Sequence, residues 1–172
     1  MGPVSAEVEI DLPREQIFEL IGDLAARPSF TDHFLSGFHL TRIDSSGIGA
    51  GARFHVKGPL GGTWFDTIVD EVEAPHRIVE HGHGGRSNRV PSTTLWELTG
   101  GPGSLTKVRV SFWTEPSNPF DRAKEVLTAS SVWLERDWRE ALRRLRDQLE
   151  AGARADDRVA VAGGNRHATG IP

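Results

Sequence analysis

The chain has 172 residues, of which 37% are hydrophobic and 26% are charged, an amount and a mixture typical of one globular domain. It has no cysteine, which excludes disulfide bonds, thiolate metal sites, iron–sulfur clusters and a cysteine nucleophile. The formal net charge is −4, and acidic residues interleave the basic ones, so the composition indicates no nucleic-acid partner.

Signals for export or membrane insertion are not found in the sequence. The first basic residue is Arg14, and the apolar run that a secretory signal needs does not precede it. No stretch approaches the ~20 consecutive apolar residues that a transmembrane helix requires. We therefore expect a cytoplasmic protein without a membrane span.

The first part of the chain predicts a strand followed by two short helices. Residues Val4 to Ile10 alternate apolar and polar side chains, the period of a strand with one buried face. Pro13 then stands near the first position of a helix, in which apolar residues recur from Ile17 to Leu24. A second short helical or irregular stretch is expected before Gly37. Its apolar side chains are Phe30, Phe34 and Leu35.

The middle of the chain predicts an antiparallel meander, because short apolar runs are separated by glycine and proline turns. Together with the first strand, the meander gives a sheet of seven strands. The six predicted strands are Phe38 to Ile43, Ala52 to Lys57, Thr63 to Val72, Arg77 to Gly82, Thr93 to Thr99 and Leu105 to Trp113.

The last predicted element is a helix of about 30 residues that follows Pro119, with apolar residues at steps of three and four as far as Leu149. Trp133 and Trp138 are about 140° apart on this helix, so we expect one of them to pack against the sheet. Beyond Gly152 the sequence predicts a mobile tail. The predicted organisation is thus a domain over residues 1–152 and a tail over residues 153–172.

Four segments carry a resemblance to a known superfamily. Val8 to Phe18 runs from a strand through a proline into a helix with an isoleucine–phenylalanine pair, and Gly49 to Phe54 leads into a strand with glycines. Val69 to Val79 reads Val-Asp-Glu-Val-Glu-Ala-Pro-His-Arg-Ile-Val, and Gly103 to Val108 leads into the last strand. Together with the element order, these segments resemble the START-like superfamily, in particular its polyketide cyclase/dehydrase (SRPBCC) branch. Val69 to Val79 is the most specific match.

The resemblance implies an α+β helix-grip fold, in which a seven-stranded curved antiparallel sheet wraps around the long C-terminal helix. It also implies a cavity between sheet and helix that binds a hydrophobic or amphipathic small molecule, such as a lipid, a quinone or an aromatic polyketide. Because members of the superfamily include both carriers and cyclases, the fold leaves open whether the chain binds a ligand or acts as a polyketide cyclase/dehydratase. We expect no cofactor, and a monomer or weak homodimer.

The alternation of side chains along the strands predicts which residues line the cavity. On the fourth strand two sets are possible, one that begins at Phe65 and one that begins at Trp64, and the first is preferred. The residues predicted to contact the ligand are Phe30, Phe34, Phe54, Phe65, Thr67, His81, His83, Trp96, Val110, Phe112, Leu127, Ser130, Ser131 and Leu134.

The sequence His81-Gly82-His83 places two imidazoles on one face of a strand, where they could bind a metal, move protons or contact a polar ligand. The glutamate that follows His-x-His in a cupin metal motif is not found here, so no metal is predicted. The other interpretation is a solvated strand end. If the protein is an enzyme, the candidate groups for proton transfer are His81, His83, Asp66 and Glu97.

Overall fold

The computed structural model describes residues 2–58, 61–85, 88–100, 105–116 and 130–164, and in the last segment the side chains of residues 131–153. Seven strands and three helices lie in these segments. In chain order they are β1 Val4–Asp11, α1 Arg14–Gly22, α2 Pro28–Thr31, β2 Leu35–Leu40, β3 Gly51–Val56, β4 Thr63–Glu73, β5 Arg77–Gly84, β6 Val90–Gly100, β7 Leu105–Thr114 and α3 Ser130–Gly164.

The seven strands form one antiparallel sheet with the order β1-β7-β6-β5-β4-β3-β2. Strands β2 to β7 pair with their neighbours in the chain, and β1 joins the far side of β7 from Val4 opposite Phe112 to Asp11 opposite Leu105. The sheet curls around α3, which packs against β1. The predicted α+β helix-grip fold, with two short helices after the first strand, is confirmed.

The period of two along the strands separates a concave face, which is turned towards α3, from an outer face. On β1, Val4 and Ala6 are buried whereas Ser5 and Glu7 are exposed. The concave face is covered by α3, whose buried side chains recur at steps of three and four as a helix packed on one side requires. These side chains are Leu134, Trp138, Ala141, Leu142 and Leu145.

Several predicted boundaries differ from the structure; β6, for example, begins at Val90 rather than at Thr93. Strand β2 begins at Leu35, which the sequence placed in the second helical stretch, because this residue pairs with Val56 of β3. The strand ends at Leu40, and Ile43 is exposed. Helix α3 continues through Gly152 to Gly164, since one exposed glycine costs a helix only about 1 kcal/mol.

The start of the predicted C-terminal helix at Pro119 lies outside the described residues, and so do residues 165–172 of the predicted tail. The domain limit at residue 152 stays a prediction. Across the described segments, no helix is both long and apolar enough to cross a membrane.

Candidate functional site

Two groups of aromatic side chains lie in the core on the concave side of the sheet. The phenylalanine cluster is a chain of neighbouring rings with centroids 5.5 to 6.3 Å apart, formed by Phe38, Phe54, Phe65 and Phe112. The tryptophan cluster has edge-to-face contacts with centroids 5.1 to 6.5 Å apart and consists of Phe30, Phe34, Trp96 and Trp138. Aromatic rings in these geometries attract one another beyond the effect of their burial, so both clusters are well-defined apolar surfaces.

Polar side chains occupy neighbouring positions on the same concave face. Glu80 of β5 pairs with Thr94 of β6, and the next inward position, Gly82, pairs with Thr67 of β4 and Ser92 of β6. We call Thr67, Glu80, Ser92 and Thr94 the polar strip; all four residues are buried. A buried hydroxyl or carboxylate costs free energy unless it is hydrogen-bonded, so the polar strip is unusual for the inner face of a sheet.

The centre of the polar strip is a buried ion pair between Glu80 and Arg27, the residue that precedes α2. Arg27 Nη2 lies 2.8 Å from Glu80 Oε1, and the side chains are 4% and 1% exposed. The same Nη2 donates a 3.0 Å hydrogen bond to the carbonyl oxygen of Ile21. The guanidinium carbon lies 4.8 Å from the centroid of the Trp96 ring. The guanidinium is thus held by an ion pair, a hydrogen bond and a ring contact.

The carboxylate of Glu80 accepts further hydrogen bonds. Trp96 Nε1 donates to Oε1 at 3.1 Å, and Thr67 Oγ1 donates to Oε2 at 3.4 Å. Three donors thus engage the two carboxylate oxygens and hold the Glu80 side chain in place. Glu80 therefore acts to position Arg27 and Trp96.

Three buried nitrogen atoms have no hydrogen-bond partner within the described part of the chain. They are Arg27 Nε, Trp138 Nε1 and His33 Nδ1. Most buried polar atoms in folded proteins are hydrogen-bonded, so each exception needs an explanation. Arg27 and Trp138 are both 4% exposed and both contact Trp96, so two of the three atoms belong to one cluster of side chains.

Helix α2, which follows Arg27 and carries Phe30, is tied to its neighbours by polar contacts. Arg144 of α3 forms a 2.8 Å ion pair with Asp32, and His33 Nε2 donates to the carbonyl oxygen of Asp137 at 3.1 Å. Lys57 Nζ donates to the carbonyl oxygens of Asp32 and His33 at 3.2 and 3.1 Å. These contacts fix α2, and with it Arg27, against α3 and β3.

Shifted pKa values occur on α3 beside these contacts. Hydrogen bonds from Arg143 and Arg144 lower the pKa of Glu140 to about 2, because they stabilise the ionised carboxylate. Burial raises the pKa of Asp137, and the nearby His33 and Arg136 oppose this effect. Both groups lie on the surface side of the helix, so neither acts on the polar strip directly.

The two predicted catalytic histidines, His81 and His83, lie on the outer face of the sheet, so the prediction that they face α3 is wrong. The side chain of His81 is 54% exposed and lies 3.7 Å from Asp70, and His83 is exposed opposite Asp66. The inward positions are taken by Gly82 and Gly84. At Gly84 a Cβ atom would collide with the ring of Phe65, so only glycine fits at this inward position.

The two predicted catalytic carboxylates also lie on the outer face of the sheet. Asp66 lies 3.7 Å from Arg53 and accepts a 2.5 Å hydrogen bond from Asn88. Glu97 is opposite Arg109 on the neighbouring strand. Both side chains point away from α3 because they are out of phase with the buried residues of their strands. The set of β4 residues that begins at Phe65 faces inward, as preferred from the sequence.

Most of the apolar residues predicted to line the site are buried between sheet and helix, although contact with a ligand stays a prediction for all of them. They are Phe30, Phe34, Phe54, Phe65, Trp96, Val110, Phe112 and Leu134, together with the polar Thr67. Ser131 is exposed and does not face the site. Leu127 and the side chain of Ser130 lie outside the described residues. Of the two helix tryptophans, Trp138 faces inward and Trp133 is 51% exposed.

Sequence reasoning missed Arg27 and Glu80. A signal for Glu80 was present, since it is in phase with the buried Ile78 two residues earlier on β5. For Arg27, which lies in a turn, the sequence carries no comparable signal. Among the described residues, no group of three or more His, Asp or Glu side chains is placed to hold a metal ion.

The geometry defines a class of protein, the helix-grip domains, in which a curved antiparallel sheet packs around a long C-terminal helix. A family model described as "Polyketide cyclase / dehydrase and lipid transport" matches residues 1–150. The chain belongs to this family, within the START-like superfamily, and is thus a domain of the hydrophobic-ligand-binding class. No curated protein sequence matches the chain.

Solved structures agree on the fold. The protein TTHA0849 from Thermus thermophilus has a TM-score of 0.68 at 16% identity, with coverage of 88% of this chain and 99% of that chain. A START superfamily protein from Mycobacterium smegmatis has a TM-score of 0.61 at 18% identity, with coverage of 86% and 98%. DynU16, a protein of the dynemicin biosynthetic locus, has a TM-score of 0.60 at 22% identity, with coverage of 88% and 48%. At these identities the likeness establishes the fold alone.

Proposed function

We propose that the protein binds an amphipathic small molecule, such as a lipid, a quinone or an aromatic polyketide-like compound, between the concave face of the sheet and α3. The observation that carries the proposal is the polar strip flanked by the two aromatic clusters. A sealed core would place aliphatic side chains at these positions, because each buried polar group without a partner costs about 1–3 kcal/mol. A ligand with an apolar body and a polar group fits both surfaces at once.

The inner hydroxyl groups support this assignment. No hydrogen bond within the described residues occupies the side-chain oxygens of Ser92 and Thr94, although both residues are buried. Ligand pockets combine apolar walls with a few polar groups that orient the bound molecule. The hydroxyls of Ser92 and Thr94 are suited to that orienting role.

Binding is favoured over catalysis. The four groups considered for proton transfer lie on the outer face, and Glu80, the carboxylate that does face inward, is already engaged by Arg27, Trp96 and Thr67. A general base needs a free lone pair directed at the proton it removes. We further propose a cytoplasmic protein that acts as a monomer or weak homodimer and without a cofactor.

The proposal is tested by titration calorimetry with decanoate, 2-naphthoate and 1,4-naphthoquinone, and by native mass spectrometry of the protein purified from its own source. The chain offers a matched pair of variants, because Thr93 and Thr94 are adjacent on β6, both buried, and on opposite faces. Thr94→Leu should change the affinity for a bound probe, and Thr93→Leu should leave it unchanged. The proposal is wrong if no small molecule co-purifies and no probe binds, or if the two variants affect binding equally.

A further inference from the structure

Two unpartnered donors on side chains that contact Trp96 point to a polar subsite inside the tryptophan cluster. Arg27 Nε and Trp138 Nε1 are buried and without an acceptor among the described residues. The Arg27 guanidinium carbon lies 4.8 Å from the Trp96 ring, and the Trp138 ring contacts Trp96 at a centroid distance of 5.6 Å. A guanidinium and an indole can only donate hydrogen bonds, so what satisfies them must be an acceptor.

We propose that Arg27 Nε and Trp138 Nε1 bind an uncharged carbonyl oxygen of the ligand, as in a ketone, an ester or a quinone. This inference rests on the proposed function and deepens it, because it assigns the polar group of the bound molecule. The neighbouring ring surfaces of Phe30 and Phe34 would contact the apolar part of the ligand beside that oxygen.

The position of the Arg27 donor is set in advance. Its Nη2 is bonded both to Glu80 and to the carbonyl oxygen of Ile21. Because the guanidinium is planar, two bonds to one nitrogen and a ring contact with Trp96 also determine the direction of Nε. A donor held in this way binds an acceptor without the entropic cost of ordering a long side chain.

The charge balance favours a neutral oxygen over a carboxylate. Arg27 is already neutralised by Glu80, and both side chains are buried. A ligand carboxylate at Nε would bring a second negative charge beside Glu80 into the same apolar environment, where an uncompensated charge is strongly unfavourable. A carbonyl oxygen accepts the same two hydrogen bonds without adding a charge.

Titration calorimetry with 1,4-naphthoquinone, naphthalene and 2-naphthoate tests the subsite, because the three probes share a ring system and differ in their oxygens. The chain has no cysteine, so the quinone finds no thiol to alkylate. We expect naphthoquinone to bind more tightly than naphthalene and naphthoate. In Trp138→Phe, which keeps an aromatic ring but loses the N–H, the preference over naphthalene should fall by about two- to twelvefold. Trp133→Phe on the exposed side of α3 is the control and should leave the preference unchanged.

A second readout uses the unaltered protein, so the test does not depend on whether a variant folds. The chain has five tryptophans, which give five indole N–H signals in a proton–nitrogen correlation spectrum. Naphthoquinone should move the Trp138 indole proton downfield, because that N–H gains an acceptor. The Trp96 signal should move less, since Trp96 Nε1 already donates to Glu80.

The outcomes separate the two proposals. If naphthoquinone and naphthalene bind equally well and the Trp138 signal does not move, the carbonyl subsite is refuted while ligand binding stands. If 2-naphthoate binds more tightly than naphthoquinone, the assignment of an uncharged oxygen is refuted. If none of the probes, decanoate included, binds and no small molecule co-purifies, the proposed function itself fails and the subsite falls with it.

Discussion

Removing either partner of the Arg27–Glu80 pair should destabilise the protein far more than removing both. The side chains are 4% and 1% exposed, so Glu80→Leu leaves an unpaired guanidinium in the interior and Arg27→Leu leaves an unpaired carboxylate. Breaking a buried ion pair by removing one partner costs about 3–5 kcal/mol. For a chain of this size each kcal/mol lowers the midpoint of thermal unfolding by about 2–4 °C.

The double variant Arg27→Leu/Glu80→Leu removes both charges, and replacement of a whole buried ion pair by apolar residues is often neutral or stabilising. In this protein the double variant should be less stable than that comparison suggests, because Trp96 Nε1 and Thr67 Oγ1 lose the carboxylate that accepts their hydrogen bonds. An unsatisfied buried donor costs about 1–3 kcal/mol. We therefore expect the double variant to lose about 1–3 kcal/mol, less than either single variant.

Urea unfolding followed by circular dichroism measures these free energies without relying on the tryptophans near the substitutions. An exposed ion pair serves as the control: Arg144 and Asp32 also lie 2.8 Å apart, but their side chains are 39% and 68% exposed. Asp32→Asn should cost less than about 1 kcal/mol. If each single variant at the buried pair also loses less than about 1 kcal/mol, or if the single losses simply add in the double variant, the assignment of a desolvated and coupled pair is wrong.

Further substitutions test other parts of the fold. Gly84→Val should lose about 1–3 kcal/mol of unfolding free energy in urea, because its Cβ collides with the Phe65 ring. The control His83→Ala, on the outer face, should change that free energy by less than about 0.5 kcal/mol and leave ligand affinity unaltered. Equal losses in the two variants would contradict the assigned faces. Leu145→Ala should cost about 2–5 kcal/mol, since this fully buried side chain joins α3 to the sheet, and a loss below about 1 kcal/mol would argue against that packing. The folded-state pKa of Glu140 is lowered to about 2, so its contribution to stability is complete above the ordinary value of 4.5 and is lost as the pH falls towards 2. Glu140→Gln should reduce the acid dependence of the unfolding free energy over that interval, and an unchanged dependence would show that the ion pairs with its arginine neighbours do not persist in solution.

The candidate site combines features that are unfavourable for stability alone. An ion pair and several hydroxyls occupy inward positions at which apolar side chains would give a more stable protein. Two buried donors, Arg27 Nε and Trp138 Nε1, have no acceptor among the described residues. Local departures of this kind are expected where a protein must recognise a ligand. For this chain they coincide with the aromatic clusters, which is why the polar strip and its surroundings carry the proposed function.

Local sequence patterns were sufficient for the elements and for most of the buried apolar residues. The alternation on β7 identifies Val110 and Phe112 as buried, and the steps of three and four on α3 identify Leu134 and Leu142. These predictions succeed because the period of a strand or a helix directly sorts side chains between water and the interior. The same alternation failed on β5, where glycines rather than apolar residues occupy the inward positions beyond Glu80.

By itself the sequence determined the seven-stranded antiparallel sheet, the long final helix and the resemblance that led to the family. Only the tertiary structure decided which polar groups face inward. Arg27 lies in a turn and Glu80 lies on β5, 53 positions further along the chain. The period of a strand or a helix cannot predict a contact between residues so far apart. The burial of that pair against Trp96, and the exposure of the histidines beside it, follow from the register of β5 and from the position of α2, which long-range packing alone sets.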